Sequence, residues 1–368
     1  DLMRHPATRV CCLLLCLVLL LPGCAPAKEQ PASQKYTTQF FGTFDTVVQI
    51  IGYAPDQKTF EGYAKAIQTR FEELSRFYDR FYEYEGVNNI CTVNKNAGIA
   101  PVQVPKEVLD LLEFSLDLYS KAGGHTNIAM GPVLKIWHDY MALYAGSDPA
   151  VAKLPPMEDL TAAAQLCDIS KVIVDRQAST VFLEEPGMAL DVGAVAKGYA
   201  TQLVTDEIYA QGFTSFIISA GGNVVAMDPP DDGQRDRWPI GIQDPFADPD
   251  DPQSAALDAV MVTHESVVTS GDYQRFYFVG DRRIHHIIDP VTLMPADYYR
   301  SLTVVCADSG EADFASTCLF VLPYEESRAL AARMGWKVMW VFPDGEVAVT
   351  DDLLPQLRDR GGATAVKS

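Results

Sequence analysis

Basic residues are scarce in this chain. Twenty-nine lysines and arginines face 49 aspartates and glutamates, for a formal charge of −20 over 368 residues. A surface that tracks phosphates needs the opposite balance, so nucleic acid is excluded as a partner. A small anionic ligand is not excluded, because a metal ion or a cluster of amides can reverse the field in one pocket. Cysteine is thin as well. Cys11, Cys12, Cys16 and Cys24 crowd the start, and only Cys91, Cys167, Cys306 and Cys318 follow. No C-x-x-C or zinc spacing occurs among those four, which read as buried free thiols. There is no internal repeat and no β-α-β alternation, so a solenoid and a Rossmann sheet are both excluded.

What is present is a globular composition, 48% apolar and 21% charged, long enough for a large core. Arg4 and Arg9 flank the start of the apolar run Val10 to Leu21, which is too short to span a bilayer comfortably and suits a signal-peptide core. Leu21-Pro22-Gly23-Cys24 is similar to a bacterial lipobox. Residues 1–24 are therefore expected to be a lipoprotein signal peptide, with Cys24 acylated (palmitate) and the protein anchored on the extracytoplasmic face of a bacterial membrane. Residues 25–35 read as a tether, 36–350 as the main domain and 351–368 as a polar C-terminal tail.

Along the main domain the pattern predicts a first strand over Tyr36 to Ile51, interrupted at Gly42. A long amphipathic helix runs from Phe60 to Phe81 by its 3.6-residue spacing, and a second carries Val108, Leu111, Leu112 and Ser115. A short helical patch begins at Ile136-Trp137. Phe216-Ile217-Ile218 is a buried strand ending in Gly221-Gly222-Asn223, where glycine lets backbone approach a ligand closely. Phe276 to Val279 and the strand after Gly280-Asp281 form a hairpin. Leu302 to Ala307 is a strand, Glu311 to Leu322 a helix, and Val338 to Phe342 with Val347 to Val349 a closing hairpin. The fold class is α+β, with mixed or antiparallel sheets packed against helices.

Two places hold chemistry. His285-His286-Ile287-Ile288-Asp289-Pro290 ends the hairpin, and strand alternation sends the two histidines to opposite faces. Asp313 and Thr317 stand four apart on a helix, so carboxylate and hydroxyl share one face and can converge on one small ion. Magnesium takes such oxygen ligands and keeps room for substrate phosphates.

Taken in order, Asp191-Val192-Gly193-Ala194-Val195-Ala196-Lys197-Gly198-Tyr199, Gly221-Gly222-Asn223, Thr269-Ser270-Gly271-Asp272-Tyr273, His286-Ile287-Ile288-Asp289-Pro290 and Asp313 with Thr317 resemble the ApbE-type FAD:protein FMN transferases. The resemblance runs from about Phe41 to about Leu322. It implies an ApbE-like, T-fold-type architecture and transfer of FMN from FAD to a threonine or serine hydroxyl of a target protein, with AMP released. It implies Mg2+ held by Asp313, Thr317 and the Ala194 carbonyl. FAD contacts are implied at Asp191, Lys197, Gly221, Gly222 and Ile287, and along Asn127, Ile128, Ala129 and Met130. Phe41 and Phe81 stand where the family has a methionine and a flavin-contacting tyrosine, and Asn127 where it often has an aspartate. The general base is His286, with Asp289 orienting it, or alternatively Asp272. The implied partners are FAD and an exported or membrane flavoprotein acceptor. Two rival readings use the same residues: a magnesium-dependent FAD pyrophosphatase, and a lipid-anchored flavin-binding protein without turnover.

Overall fold

The computed structural model describes residues 33–367 except 249. Residues 1–32, including Cys24, lie outside the described residues.

An eight-stranded sheet forms the frame. Its strands are β1 (Gln34–Thr43), β2 (Thr46–Ala54), β3 (Phe216–Ala220), β4 (Asn223–Ala226), β5 (Glu265–Gly271), β8 (Ser301–Cys306), β9 (Lys337–Val341) and β10 (Val347–Val349). They lie side by side in that order, and every neighbouring pair is antiparallel. The two intervening strands, β6 (Phe276–Val279) and β7 (Arg282–His285), make a separate hairpin. This is the α+β architecture expected from the sequence, with no Rossmann order.

Alternation divides the side chains of the sheet between two cores. Ile218, Val225, Val268, Val304, Val338 and Trp340 face the helices. Their neighbours Ile217, Ala226, Val267, Val305 and Met339 face the other way. Both faces are covered, which is why strands such as Phe216-Ile217-Ile218 read as unbroken apolar runs. On the helical face lie α1 (Gln57–Tyr78), α2 (Lys106–Lys121), α4 (Ala196–Ala210), α5 (Ser309–Phe320) and α6 (Tyr324–Met334); α3 (Gly131–Tyr144) packs in a third core with the β6–β7 hairpin.

Three sequence expectations need correction. The single first strand is a hairpin. It turns at Phe44-Asp45, both with φ of 51°, the positive values that a tight hairpin turn requires. No Asn-Gly or Asp-Gly marked it. Phe44 is held there by packing near Phe71 and Tyr78 and by its N–H, which donates to Ser75 Oγ at 3.2 Å. The short patch at Ile136-Trp137 is the middle of α3, which starts at Gly131 with Pro132 in its first turn, where a missing N–H costs nothing.

The polar tail is not a tail. Leu353 and Leu357 are fully buried in the second core, together with Trp238, Ile240 and Val260 of a small hairpin. The carboxylate of Asp258, itself fully buried, accepts the Asp359 N–H at 2.9 Å. Charged neighbours hid these leucines, which cap the outer face of the sheet. Leu357→Ala is expected to lower the unfolding free energy by about 2–5 kcal/mol, the usual range for a buried leucine. Urea titration measures this, and an unchanged midpoint would return the segment to a solvated tail.

Candidate active site

The site begins where α4 meets α5. Gly198 stands in the first turn of α4 with no room for a side chain: a Cβ there would lie 2.2 Å from Ser309 O and 2.5 Å from Asp313 Cβ. Lacking one, it lets the helices touch. Its N–H donates to Asp313 Oδ2 at 2.8 Å. In a continuing helix that N–H would go to the Ala194 carbonyl. Diverted to Asp313, it leaves that carbonyl without a hydrogen bond among the described residues.

Asp313 is buried, and burial pushes its carboxyl pKa up, against the Lys197 charge and the Gly198 N–H, which pull it down. Thr317, one turn further along α5, is half-buried, and its hydroxyl makes no hydrogen bond among the described residues. Ser316, between them, is tied elsewhere: its hydroxyl bonds the Asp313 carbonyl at 2.9 Å and the Ser270 hydroxyl at 2.7 Å. The buried amide nitrogen of Asn223 faces the Asp313 carboxyl, whose pKa it helps to pull down, and lies 3.0 Å from where a Gly198 Cβ would be. An open carbonyl, a buried carboxylate and a free hydroxyl suit a small oxygen-loving cation. The donor set Ala194, Asp313 and Thr317 therefore fits magnesium, and Asn223, which sequence reading passed over within its own motif, braces the Asp313 carboxylate.

A turn before α4, Asp191 is buried and spoken for. Its Oδ1 accepts the Gly193 N–H at 2.9 Å, and its Oδ2 is paired with Arg80 Nη1 at 2.8 Å and faces His138 Nε2 at 3.5 Å. Burial alone would raise this carboxyl, but His138 and Arg80 hold it below its ordinary value. An anion so committed is a keystone of the site wall, not the free FAD contact that the resemblance implies. His138, on α3, was missed because that helix was read as a short patch. Arg80 also lies over the Phe81 ring at 4.3 Å, and His138 meets that ring edge-on at 6.3 Å. Phe81 is 58% exposed and Phe41 66% exposed, so both rings are open to a ligand.

The loop from Asn127 to Met130 behaves differently from expectation. Ile128, Ala129 and Met130 bury their side chains in the cores, so only their backbone can face a ligand. Asn127 is used internally: its Nδ2 donates to Cys167 O at 2.9 Å, and its Oδ1 accepts the Ala129 N–H at 2.8 Å. Asn127, Pro290 and Val291 nevertheless help line a cavity of about 340 Å³. Gly221 and Gly222 form the turn between β3 and β4 with φ of 53° and 94°. Gly221 is pressed on Thr46, and Gly222 is exposed with nothing nearer than 3.9 Å to an added Cβ. Gly222 therefore leaves open space for a ligand, while Gly221 is glycine because a side chain there would strike Thr46.

The histidines separate as alternation requires. His285 is buried. Its Nε2 donates to Ala296 O at 2.6 Å, its Nδ1 accepts the Ile287 N–H at 3.2 Å, and its ring sits edge-on to Phe320. His286 is half-buried, and its Nδ1 faces Arg275 O at 3.3 Å. A ring nitrogen facing a carbonyl carries the proton, so the lone pair sits on Nε2. Desolvation, then His285 and Arg275, push the His286 pKa down and favour this neutral form.

Asp289 does not orient His286, and Asp272 is not placed to act as the alternative base. The Asp289 carboxylate accepts the Val291 N–H at 2.8 Å and closes its own turn. Asp272 is gripped by Arg283 at 3.1 Å and Arg300 at 2.9 Å, a structural ion pair that leaves no oxygen poised to take a proton. Ile287 is also engaged: its N–H goes to His285, and its carbonyl already accepts the Ala296 N–H at 3.2 Å. The four cysteines among the described residues are free thiols.

Residues 44–340 match the family model described as the ApbE family. The chain is similar to the FAD:protein FMN transferase of Treponema pallidum (strain Nichols), 35% identical over 73% of this chain and 75% of that protein. It is 32% identical to the FAD:protein FMN transferase of Klebsiella pneumoniae (strain 342), over 70% of this chain and 76% of that one. Its fold is like that of the ApbE protein from Thermotoga maritima, with a TM-score of 0.73 and 24% identity, covering 87% of this chain and 98% of that one.

Proposed function

The chain belongs to the ApbE family, and from that premise we propose that it transfers FMN from FAD to a threonine or serine hydroxyl of an exported or membrane flavoprotein, in a magnesium-dependent reaction that releases AMP. The observation that carries this reading is the junction of α4 with α5, where the Gly198 N–H turns to Asp313 and leaves the Ala194 carbonyl open.

Ala194, Asp313 and Thr317 would hold magnesium, which would supply neutralisation of phosphate charge. The chain's own groups do the rest. Lys197 binds phosphate oxygens by its charge, aided by its place at the positive end of the α4 dipole. Asn223 steadies the Asp313 carboxylate. Phe81, backed by Arg80 and His138, offers an aromatic surface to the flavin ring. His286 Nε2 takes the proton of the acceptor hydroxyl as its oxygen bonds the FMN-side phosphorus and the bond from that phosphorus to the AMP oxygen breaks. The test is to incubate the full chain with FAD, magnesium and a candidate acceptor, then weigh the acceptor. Gain of FMN mass with AMP release supports the proposal. AMP release without an acceptor would make the chain a pyrophosphatase, and no AMP at all a flavin-binding protein.

The membrane anchor is part of the same proposal. Among the described residues no helix is long and apolar enough to cross a membrane, so attachment would rest on Cys24. Acyl chains acting together give stable anchoring where one is marginal. Cys24→Ser is expected to move the protein from the membrane to the soluble fraction on cell fractionation, and unchanged partition would count against acylation.

A further inference from the structure

The chain reaches the Ala194 turn through a stretch that belongs to no strand or helix. Leu190 is fully buried there, so its backbone groups must find partners without a ladder. Asn94 supplies both. Its Oδ1 accepts the Leu190 N–H at 2.6 Å, and its Nδ2 donates to the Leu190 carbonyl at 3.0 Å. From the other side the Gly131 N–H donates to Ala189 O at 3.1 Å, and the Asp191 N–H donates to Ile128 O at 2.8 Å. A Cβ on Gly131 would stand 2.3 Å from Ala189 O, so only glycine fits against this strap. Residues 189–191 are thus clamped between one side chain and one loop.

Hydrogen bonds carry this position forward to Ala194. Asp191 Oδ1 takes the Gly193 N–H at 2.9 Å, and the Val195 and Ala196 N–H groups both go to Val192 O, at 3.0 and 2.8 Å. A shift at Leu190 is therefore passed along a tied backbone to the Ala194 carbonyl. Asn94 itself has a firm mount. It lies in the short helix Ile90–Lys95, whose N-cap Asn89 is fully buried and donates to Arg76 O at 2.9 Å and to Tyr82 O at 2.8 Å. The Cys91 N–H adds a bond to Asp79 O at 2.9 Å, fastening the helix to the end of α1. Resting on the transferase reading and its magnesium site, we propose that Asn94 is a positioning residue for the reaction. It acts through Leu190, by fixing where the Ala194 carbonyl stands.

Two variants test this in the full chain. Asn94→Asp keeps the size of the side chain and the acceptor for the Leu190 N–H, but turns a carboxylate oxygen on the Leu190 carbonyl. Asn94→Ala removes both bonds and adds no charge, so it carries the comparison where Asn94→Asp does not fold. Magnesium alone is titrated and the rise in melting temperature followed. Riboflavin, which has no phosphate for a metal to hold, is titrated separately. Both variants are expected to need about 10–100 times more magnesium for half the rise, the usual cost of losing a group that orients a metal ligand. Riboflavin affinity should not change. In turnover with FAD and an acceptor, half-saturating magnesium should rise by the same factor while kcat at saturating magnesium is kept.

Variants that melt lower but keep the wild-type magnesium midpoint would make Asn94 a pin for stability alone and overturn the inference. Equal losses of magnesium and riboflavin affinity would overturn it too, since they mean that the whole site has loosened. A wild type that does not respond to magnesium defeats the metal reading, and this inference with it, before any variant is compared.

Discussion

His286→Ala is expected to slow FMN transfer by about 10²–10⁴, the range for a lost general base, while FAD affinity changes little. The loss should fall in the chemical step, because the acceptor proton moves only in the transition state. His285→Ala should do the reverse. It would strand the Ala296 carbonyl and the Ile287 N–H, both buried partners of the ring, at a stability cost of about 1–3 kcal/mol for unsatisfied groups, with most of the rate kept. Single-turnover AMP release at saturating FAD and acceptor, with FAD binding measured separately, distinguishes them. Equal rate losses would reduce both histidines to structure.

The pH profile gives His286 a second signature. Its pKa is pushed down by burial and by its cationic neighbours, so the free protein keeps Nε2 unprotonated well below the ordinary histidine range. A bound pyrophosphate favours imidazolium and raises the pKa again. The acid limb of kcat/KM, which reports the free protein, should therefore lie at lower pH than the acid limb of kcat, which reports the FAD complex. Coincident limbs would mean that the titrating group is not beside the phosphates.

Much of this site was legible because its logic is local. Asp313 and Thr317 needed only a helix, and His285 and His286 only a strand end, to settle which side chains share a face. The five motifs occur in the order in which the fold uses them. The unreadable parts depend on partners distant in sequence. Asp272 looked free until Arg300, 28 positions later, closed on it from one side and Arg283 from the other. Asp191 looked like a ligand acceptor, but Arg80, more than a hundred positions earlier, takes its open oxygen. No periodicity announces an ion pair across elements. The first hairpin was hidden for a different reason: Phe44 and Asp45 adopt positive φ because packing holds them there, not because their side chains favour it.

Asp313→Asn should abolish transfer, and excess magnesium should not restore it, because a neutral amide is a far poorer ligand for a hard cation than a carboxylate. Thr317→Ala, removing only a hydroxyl, should weaken magnesium dependence more mildly. The sharper result is in stability. Burial raises the Asp313 pKa above its unfolded value, so the folded state binds this proton more tightly than the unfolded chain does. Its share of stability therefore falls as pH rises from the unfolded value through the folded one, and the full cost stands above both. Asparagine carries no charge to bury, and its side-chain oxygen can still accept the Gly198 N–H. Without magnesium at neutral pH, Asp313→Asn is thus expected to melt higher than the wild type. Adding magnesium should reverse the order, since saturation at a hundredfold excess over Kd contributes about 2.7 kcal/mol to a protein that binds it and nothing to one that does not. Thermal melts of both proteins, with chelator and with magnesium, read this crossing directly. Parallel melting curves with no crossing, or magnesium-dependent transfer surviving in Asp313→Asn, would move the metal away from α5. The crossing itself would mean that the chain keeps a destabilising carboxylate at the junction of α4 and α5 because the reaction needs its charge there.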